Sequence, residues 1–193
     1  MTIELAKKED ASAIASIHQQ EIMKGFLSSL GPSFLKRFYE ALVKSPYSFC
    51  LIACEGNEVV GFASGVIDMK GFYRYFFSRY FLSVVPKMVG KLFSFSMVRR
   101  VVENLMYPKK TSHLPKAELL SIAVKREFQH RGIGGQLLEE FVQHMRQRNV
   151  SRFKVLVGKE LAAVDFYRKH QFKEVGEIML HGNQSSYIFT YTL

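Results

Sequence analysis

The sequence predicts a mixed α/β domain arranged around one sheet, and three observations support this prediction. The chain has 193 residues, which is the size of a single ordinary domain. Hydrophobic residues make up 48% of the chain and charged residues 23%, as in other folded globular proteins. Segments with the alternating pattern of strands and segments with helical periodicity follow one another along most of the chain, so helices should pack on the faces of a common sheet.

The first half of the chain contains two helical patterns and one hairpin pattern. Pro32 is suited to the first turn of the second helix, and Pro46 ends that helix. A tight turn at residues 55–58 joins two apolar strands into the hairpin. The predicted elements are a strand at residues 3–6, a helix after Asp10, a loop at 25–31, a helix that begins at Pro32, and strands at 49–54 and 59–67.

The second half contains a strand that we expect at the centre of the sheet. Residues 118–124 form an almost continuous apolar run, which is typical of a strand buried on both faces. A helix that begins near Ile133 follows, with apolar side chains at helical spacing. The remaining predicted elements are a strand at 153–157, a helix at 161–170, a strand at 172–180, a turn at 181–184 and a strand at 185–192.

Residues 70–112 differ in composition from the rest of the chain. They include nine Lys and Arg side chains and one acidic side chain, so their net charge of +8 leaves only +2 for the other 150 residues. Nine of the 26 Phe and Tyr residues lie between Phe72 and Phe95. We expect a basic, aromatic-rich helical insertion, interrupted near Pro86 and Gly90, within a single domain that comprises the whole chain.

Composition also limits the compartment and the partners. Cys50 and Cys54 lie on one predicted strand, about 13 Å apart, which is too far for a disulfide. Free thiols suit a reducing compartment, and the N-terminus has no secretory pattern. No apolar stretch reaches the roughly 20 residues of a membrane span. We therefore expect a cytoplasmic protein, and the net charge of +10 predicts an anionic partner such as a membrane surface, a nucleic acid or a phosphate-rich cofactor.

A glycine-rich loop provides the strongest chemical signal. It lies between the predicted central strand and the helix near Ile133, and it reads Gln129-His130-Arg131-Gly132-Ile133-Gly134-Gly135. A helix N-terminus offers unpaired backbone N–H groups, and glycines allow an anion to approach them, so the pattern predicts a phosphate site. Arg131 could add a charge-assisted contact. The alternative is a tight turn that happens to contain glycine. Two other nucleotide-binding motifs fit less well: an NTPase loop would require Gly-Lys-Ser/Thr, and a dinucleotide fingerprint would require a third glycine.

With these motifs, the sequence resembles the GNAT superfamily of acyl-CoA-dependent N-acetyltransferases. The family pattern Gln/Arg-x-x-Gly-x-Gly/Ala follows an apolar-Ala-Val triplet, and here Ile122-Ala123-Val124 precedes the loop that begins at Gln129. A second family element is Asn-x-x-Ala-x-x-x-Tyr followed by Gly-Phe. Ala163, Tyr167 and Phe172 match it, whereas Glu160 replaces the Asn and Gln171 the Gly.

The resemblance implies a mixed, mostly antiparallel sheet flanked by helices, and it implies acetyl-CoA as the co-substrate. The pyrophosphate would lie on residues 129–135 and the pantetheine arm along residues 122–124. The strand at 153–157 would splay away to open a slot for the thioester. Tyr167 would protonate the departing thiolate; the alternative is a packing role.

Glu118 is the best candidate for the general base, because it lies 11 residues before Gln129, where some family members have a catalytic glutamate. The alternative is a solvent-facing charge at the end of a strand. Ser121, His113 and His181 are weaker candidates. No cluster of His, Cys, Asp and Glu has metal-ligand spacing, so we expect no metal.

Two functions from different classes follow. The first is transfer of an acetyl group from acetyl-CoA to a primary amine by direct attack in a ternary complex. The second is an acyl-CoA-binding or anion- and membrane-docking module with little catalysis, in which residues 70–112 would contact a membrane or a second copy of the chain. Nucleic acid is disfavoured, because aromatic runs such as Tyr75-Phe76-Phe77 require burial.

Overall fold

The structure is a computed structural model, and it describes residues 1–23, 26–92, 114–180 and 184–193. In the first half of the chain, three helices lie between the first strand and a hairpin, and a long helix follows the hairpin. The elements are β1 (Thr2–Leu5), α1 (Ala11–Glu21), α2 (Phe26–Ser29), α3 (Pro32–Lys44), β2 (Ser48–Glu55), β3 (Glu58–Val66) and α4 (Met69–Leu92).

The second half alternates between strands and helices and ends in a hairpin. Its elements are β4 (Ala117–Val124), α5 (Ile133–Gln147), β5 (Arg152–Gly158), α6 (Ala163–Lys169), β6 (Lys173–Leu180) and β7 (Gln184–Thr192). The described strands form one seven-stranded sheet in the order β1-β2-β3-β4-β5-β7-β6. Neighbouring strands are antiparallel except β4 and β5, which are parallel. This confirms the mixed, mostly antiparallel sheet and the central position of the strand at residues 118–124.

Two apolar layers cover the sheet. On one face, α5 and α6 pack against β2 to β5 and β7, and α5 contributes Leu137, Phe141 and Met145 from one side of the helix. On the other face, α1, α3 and the start of α4 pack against β2 and β3. The sheet therefore separates two helical layers, and a side chain on a central strand belongs to one layer or the other.

The structure corrects two of the predictions. Residues 26–29 form the short helix α2 where a loop was expected, because one turn is too short to show a periodic pattern. Helix α4 is continuous from Met69 to Leu92 and includes Pro86 and Gly90, so the predicted interruption is wrong. A proline removes one backbone donor, and the remaining hydrogen bonds of a long helix can continue past it.

The described part of the predicted insertion begins by packing on its own domain. Phe72 and Phe76 are buried, and their rings lie 5.6 and 5.9 Å from the ring of Phe38 on α3. At this end, aromatic burial within the chain accounts for the apolar runs. Residues 93–113 and 181–183 lie outside the described residues. These ranges include the insertion beyond Leu92 and most of the turn predicted at 181–184.

Close contact between α5 and β3 depends on glycine. A Cβ added at Gly65 would lie 2.4 Å from Cε2 of Phe141, which is far inside van der Waals contact. Phe141 is fully buried between Phe49 and Phe153, whose ring centroids lie 5.1 and 5.3 Å away, so its ring has no free space to move into.

We expect Gly65→Ala to lower the free energy of unfolding by about 1–3 kcal/mol, because overpacking displaces the Phe141 ring or the helix. The control is Gly158→Ala, where the added Cβ would lie at an ordinary 3.4 Å from Leu161. Urea denaturation of both variants checks this. Equal midpoints for the two variants would contradict the proposed packing constraint.

Candidate active site

A gap opens between the two parallel strands at the centre of the sheet. Strands β4 and β5 pair only at their first residues, where Ala117 lies opposite Phe153 and Glu118 opposite Lys154. On the other side of β4, the register with β3 shifts so that Leu120 has no partner, which is the signature of a β-bulge. A bulge bends its strand, and beyond this point β4 follows β3 and leaves β5. The divergence confirms that β5 splays away from β4.

Backbone alternation shows which groups of β4 face the gap. In an antiparallel ladder, alternate residues turn both backbone groups to the partner strand. The N–H of Lys125 donates to the carbonyl of Val60 on β3 at 2.8 Å, so Ala123 also faces β3. Ile122 and Val124 therefore turn their backbone groups towards the gap. Of the predicted triplet, these two offer main-chain hydrogen bonds to a ligand and Ala123 does not.

The glycine loop ends in an open helix N-terminus beside this gap. Gly132 is left-handed at φ 79°, and α5 begins at the next residue, Ile133. Within the described part of the chain, no side chain caps this helix end. A Cβ at Gly134 would lie 3.5 Å from the Phe166 ring, and one at Gly135 would lie 3.3 Å from Nε2 of His170. Helix α6 thus packs beside the first turn of α5, whose N–H groups have no partner within the helix.

The Gln129 side chain connects this loop to helix α1. Its amide donates to the carbonyl of Val124 at 2.8 Å and to a carboxylate oxygen of Glu21 at 3.3 Å. The other oxygen of Glu21 accepts the backbone N–H of Arg126 at 3.0 Å. The resemblance predicted a cofactor contact for Gln129; in this structure its amide holds the mouth of the gap in place.

Arg131 and His130 lie at the surface of the loop. The Arg131 guanidinium donates to the carbonyl of Glu127 at 2.9 Å, lies 5.0 Å from the Phe128 ring centroid and approaches the Glu55 carboxylate to 4.0 Å. His130 is exposed and has φ 61°, a left-handed conformation that is uncommon for a non-glycine residue. Both side chains lie next to the helix N-terminus where an anion would bind.

Tyr167 lies on α6, on the same side of the sheet as α5. Its side chain is buried and packs on Phe172 and Phe189, with ring centroids 5.1 and 6.1 Å away. Burial raises the pKa of the Tyr167 hydroxyl above its usual value, so the group keeps its proton at neutral pH. Tyr167 belongs to the same apolar cluster as Ile133 at the start of α5 and Val157 on β5.

Glu118 is buried at the point where β4 and β5 part. Its carboxylate lies 3.4 Å from the Lys154 ammonium, which also donates to the carbonyl of Pro115. The Tyr73 hydroxyl of α4 has a pKa above its usual value, first because of burial and second because of the Glu118 charge. Glu118 is therefore not a solvent-facing charge, and it lies on the face opposite Tyr167.

A buried polar group near the centre of the sheet was missed by sequence reasoning. His18 on α1 contacts Tyr39 on α3 at 2.6 Å, and both side chains are almost completely buried. Lys154 and Glu21 were missed as well. Each is a single polar residue in an amphipathic or apolar segment, and its partner lies on another element, so no local spacing indicated it.

The two cysteines lie on β2, away from the strands that form the gap. Cys50 and Cys54 are free thiols, and burial raises the pKa of the Cys50 thiol. His113 and His181 lie outside the described residues. In the ranges that the structure describes, no group of three His, Cys, Asp or Glu residues is arranged to hold a metal ion. No helix among the described residues has the length and apolar character needed to cross a membrane.

Comparison with known families agrees with this arrangement. Residues 16–172 match the profile of the acetyltransferase (GNAT) family. The chain belongs to the GNAT acetyltransferase family. It is thus an enzyme of the GNAT N-acetyltransferase family, whose members use acetyl-CoA. The match extends from α1 to the residue before β6 and includes the glycine loop, the divergent strands and Tyr167.

Solved GNAT structures share the fold at low sequence identity. A ribosomal-protein-alanine N-acetyltransferase from Brucella melitensis is 18% identical, with a TM-score of 0.65 and full coverage of both chains. Ard1 from Thermoplasma volcanium is 15% identical at a TM-score of 0.64, covering 100% of this chain and 97% of its own. The PaiA N-acetyltransferase from Thermoplasma acidophilum, solved in complex with coenzyme A, is 17% identical at 0.62, with full coverage of both. No curated protein matches the chain significantly.

The two departures from the family pattern lie on either side of α6. Gln171 replaces the usual glycine and has φ 65°, so a residue with a Cβ occupies the left-handed turn after the helix. Such a conformation costs roughly 1 kcal/mol for a non-glycine residue. Phe172 is nonetheless buried against Tyr167, so the change leaves the position of the helix intact.

Proposed function

We propose that the protein transfers an acetyl group from acetyl-CoA to a primary amine by direct attack in a ternary complex. The observation that carries the proposal is the gap between β4 and β5, which leads to the uncapped N-terminus of α5. A linear cofactor with a phosphate-rich end and an amide-bearing arm fits both features. Acetyl-CoA is a cytoplasmic metabolite, so the proposal includes a cytoplasmic location.

The cofactor would bind mainly to the backbone. Its pyrophosphate would accept hydrogen bonds from the N–H groups of Ile133, Gly134 and Gly135, where the helix dipole favours negative charge. The amides of the pantetheine arm would pair with the groups of Ile122 and Val124 that face the gap, as an added strand does. Backbone recognition explains why the sequence signal consists of glycines and apolar residues.

The chemical step would divide between the two faces of the sheet. The amine nitrogen attacks the thioester carbon, and the carbonyl oxygen gains negative charge, which a β4 N–H group facing the gap would stabilise. The C–S bond then breaks, and Tyr167 would give its proton to the thiolate. The amine loses a proton, which Glu118 would accept directly or through a water molecule. Glu118 would act from a buried position, with its carboxylate 3.4 Å from the Lys154 ammonium.

The first turns of the predicted insertion pack on the chain's own domain and give no support for a membrane or subunit contact at this end of the segment. Phe72 and Phe76 are buried in the chain's own core, so these aromatic residues need no lipid or second subunit to cover them. We propose that the insertion, residues 70–112, forms a wall of the acceptor site. Its charge favours an acidic or phosphate-bearing acceptor.

The glycine loop provides the first test. Gly134→Val would crowd the Phe166 ring with a branched side chain and displace the first turn of α5. We expect coenzyme A binding to weaken by about 10- to 100-fold, because the N–H groups of this turn would no longer be placed to form charge-assisted hydrogen bonds with the pyrophosphate. Gln143→Val is the control, because it puts the same residue on an exposed position of α5. Calorimetric titration measures both. A folded Gly134→Val variant with unchanged affinity would place the cofactor elsewhere.

Turnover provides the second test. Thiol release from acetyl-CoA is measured with an acidic alanyl peptide, an acidic lysyl peptide and phosphoethanolamine as acceptors. We expect at least one amine to be acetylated, and Tyr167→Phe to lower kcat by ~10²–10⁴-fold with coenzyme A affinity unchanged. Tyr191→Phe, in the same aromatic cluster, is the control. Tight coenzyme A binding without turnover of any amine would favour the alternative, an acyl-CoA-binding module.

A further inference from the structure

The carboxylate of Glu21 holds two groups of the segment that joins β4 to the glycine loop. Glu21 is the last residue of α1, and its side chain is half-buried. Its Oε1 atom accepts the backbone N–H of Arg126 at 3.0 Å, and its Oε2 atom accepts the side-chain amide of Gln129 at 3.3 Å. A short 3₁₀ turn (Arg126–Phe128) lies between these two contacts, so Glu21 holds the segment at both ends of the turn.

The orientation of the Gln129 amide follows from its neighbours. The amide nitrogen lies 2.8 Å from the carbonyl oxygen of Val124, and a carbonyl oxygen can only accept a hydrogen bond. The –NH₂ group therefore points at Val124, and its second proton is directed at Glu21. One side chain thus ties the end of β4 to the end of α1, and both protons of its amide are used.

Glu21 also satisfies a backbone donor that the turn leaves open. Phe128 and Gln129 donate their N–H groups to the carbonyls of Lys125 and Arg126, within the same segment. The N–H groups at the start of a helical turn have no partner inside it, and the lysine before this turn has no acceptor atom in its side chain to cap it. Arg126 instead donates to Glu21, which belongs to another element.

Electrostatics alone disfavours a carboxylate at this position. The C-terminal end of a helix carries partial negative charge, and Glu21 ends α1. The segment that it holds leads to the N-terminus of α5, where the proposed cofactor brings its pyrophosphate. A negative charge here repels that cofactor to the extent that the solvent does not screen it. The benefit of Glu21 to cofactor binding must therefore come from its two charge-assisted hydrogen bonds.

We propose that Glu21 is a positioning residue for coenzyme A, which it holds in register without touching it. The inference rests on the proposed function, in which the pantetheine arm binds at Val124 and the pyrophosphate at Ile133. The segment held by Glu21 joins these two places, so its position sets the distance between them. A segment that is fixed before the cofactor arrives lowers the ordering cost of binding.

Glu21→Gln tests this role, because a glutamine side chain has one acceptor oxygen where the carboxylate has two. We expect calorimetric titration with coenzyme A to show about 10-fold weaker binding, from the loss of one partly exposed hydrogen bond to a charged group. Glu127→Gln is the matched control, since it removes the same charge from an exposed position of the same turn. We expect this control to bind coenzyme A equally or more tightly. A purely electrostatic role would make both variants bind more tightly.

A double-mutant cycle tests the route of the effect. Gln129→Ala removes the amide that Glu21 holds, and we expect it to weaken coenzyme A binding as well. In that background Glu21→Gln should cost much less affinity, because the shared contact is already lost. With the best of the three amines, Glu21→Gln should raise KM for acetyl-CoA and leave kcat and KM for the amine near their wild-type values. A general loss of structure would change all three and lower the urea midpoint.

The outcomes separate this inference from the proposed function. A Glu21→Gln variant that binds coenzyme A as tightly as the wild type would overturn the role of Glu21 and leave the function standing. An equal loss of affinity in Glu127→Gln, or full additivity in the cycle, would also overturn it. If Glu21→Gln does not fold, unchanged affinity in Gln129→Ala has the same consequence. A wild-type protein that does not bind coenzyme A would overturn the proposed function and this inference together.

Discussion

The parting of β4 from β5 is the constraint on which the rest of the site depends. Two neighbouring parallel strands normally satisfy each other's backbone groups along their length, and here they do so only at Glu118 and the residue before it. The bulge at Leu120 turns β4 towards β3, and the groups of Ile122 and Val124 face a gap. Because α5 begins just beyond the end of β4, the same gap points at an open helix N-terminus.

The sheet separates the two halves of the proposed chemistry. The face of α5 and α6 carries the glycine loop and the buried Tyr167, which suits the phosphate end and the leaving thiolate. The other face carries Glu118, which suits the proposed proton transfer from the incoming amine. Glu21 connects the faces, because it is on α1 and holds the loop that leads to α5.

Local pattern was enough to predict most of the fold and the position of the glycine loop between β4 and α5. Helix α5 has an uninterrupted apolar stripe, and the loop before it ends at Gly132, whose left-handed conformation favours glycine, so both were visible in the sequence. The polar partners were not. His18 pairs with a residue 21 positions away, and Lys154 with one on another strand, so only the fold brings them together. Helix α4 was misjudged because Pro86 was given more weight than the length of the surrounding helix.

Amide exchange at the residues of β4 tests the central claim most directly. The amide protons of Ile122 and Val124 should exchange much faster than the amide proton of Ala123 in the free protein. The N–H groups of Ile122 and Val124 face the gap, whereas the N–H group of Ala123 faces β3. Coenzyme A should slow exchange at both, and also at Gly134 in the first turn of α5, by pairing with these groups. Equal protection of all three β4 amides without cofactor, or unchanged exchange at Ile122 and Val124 when coenzyme A is bound, would contradict the account.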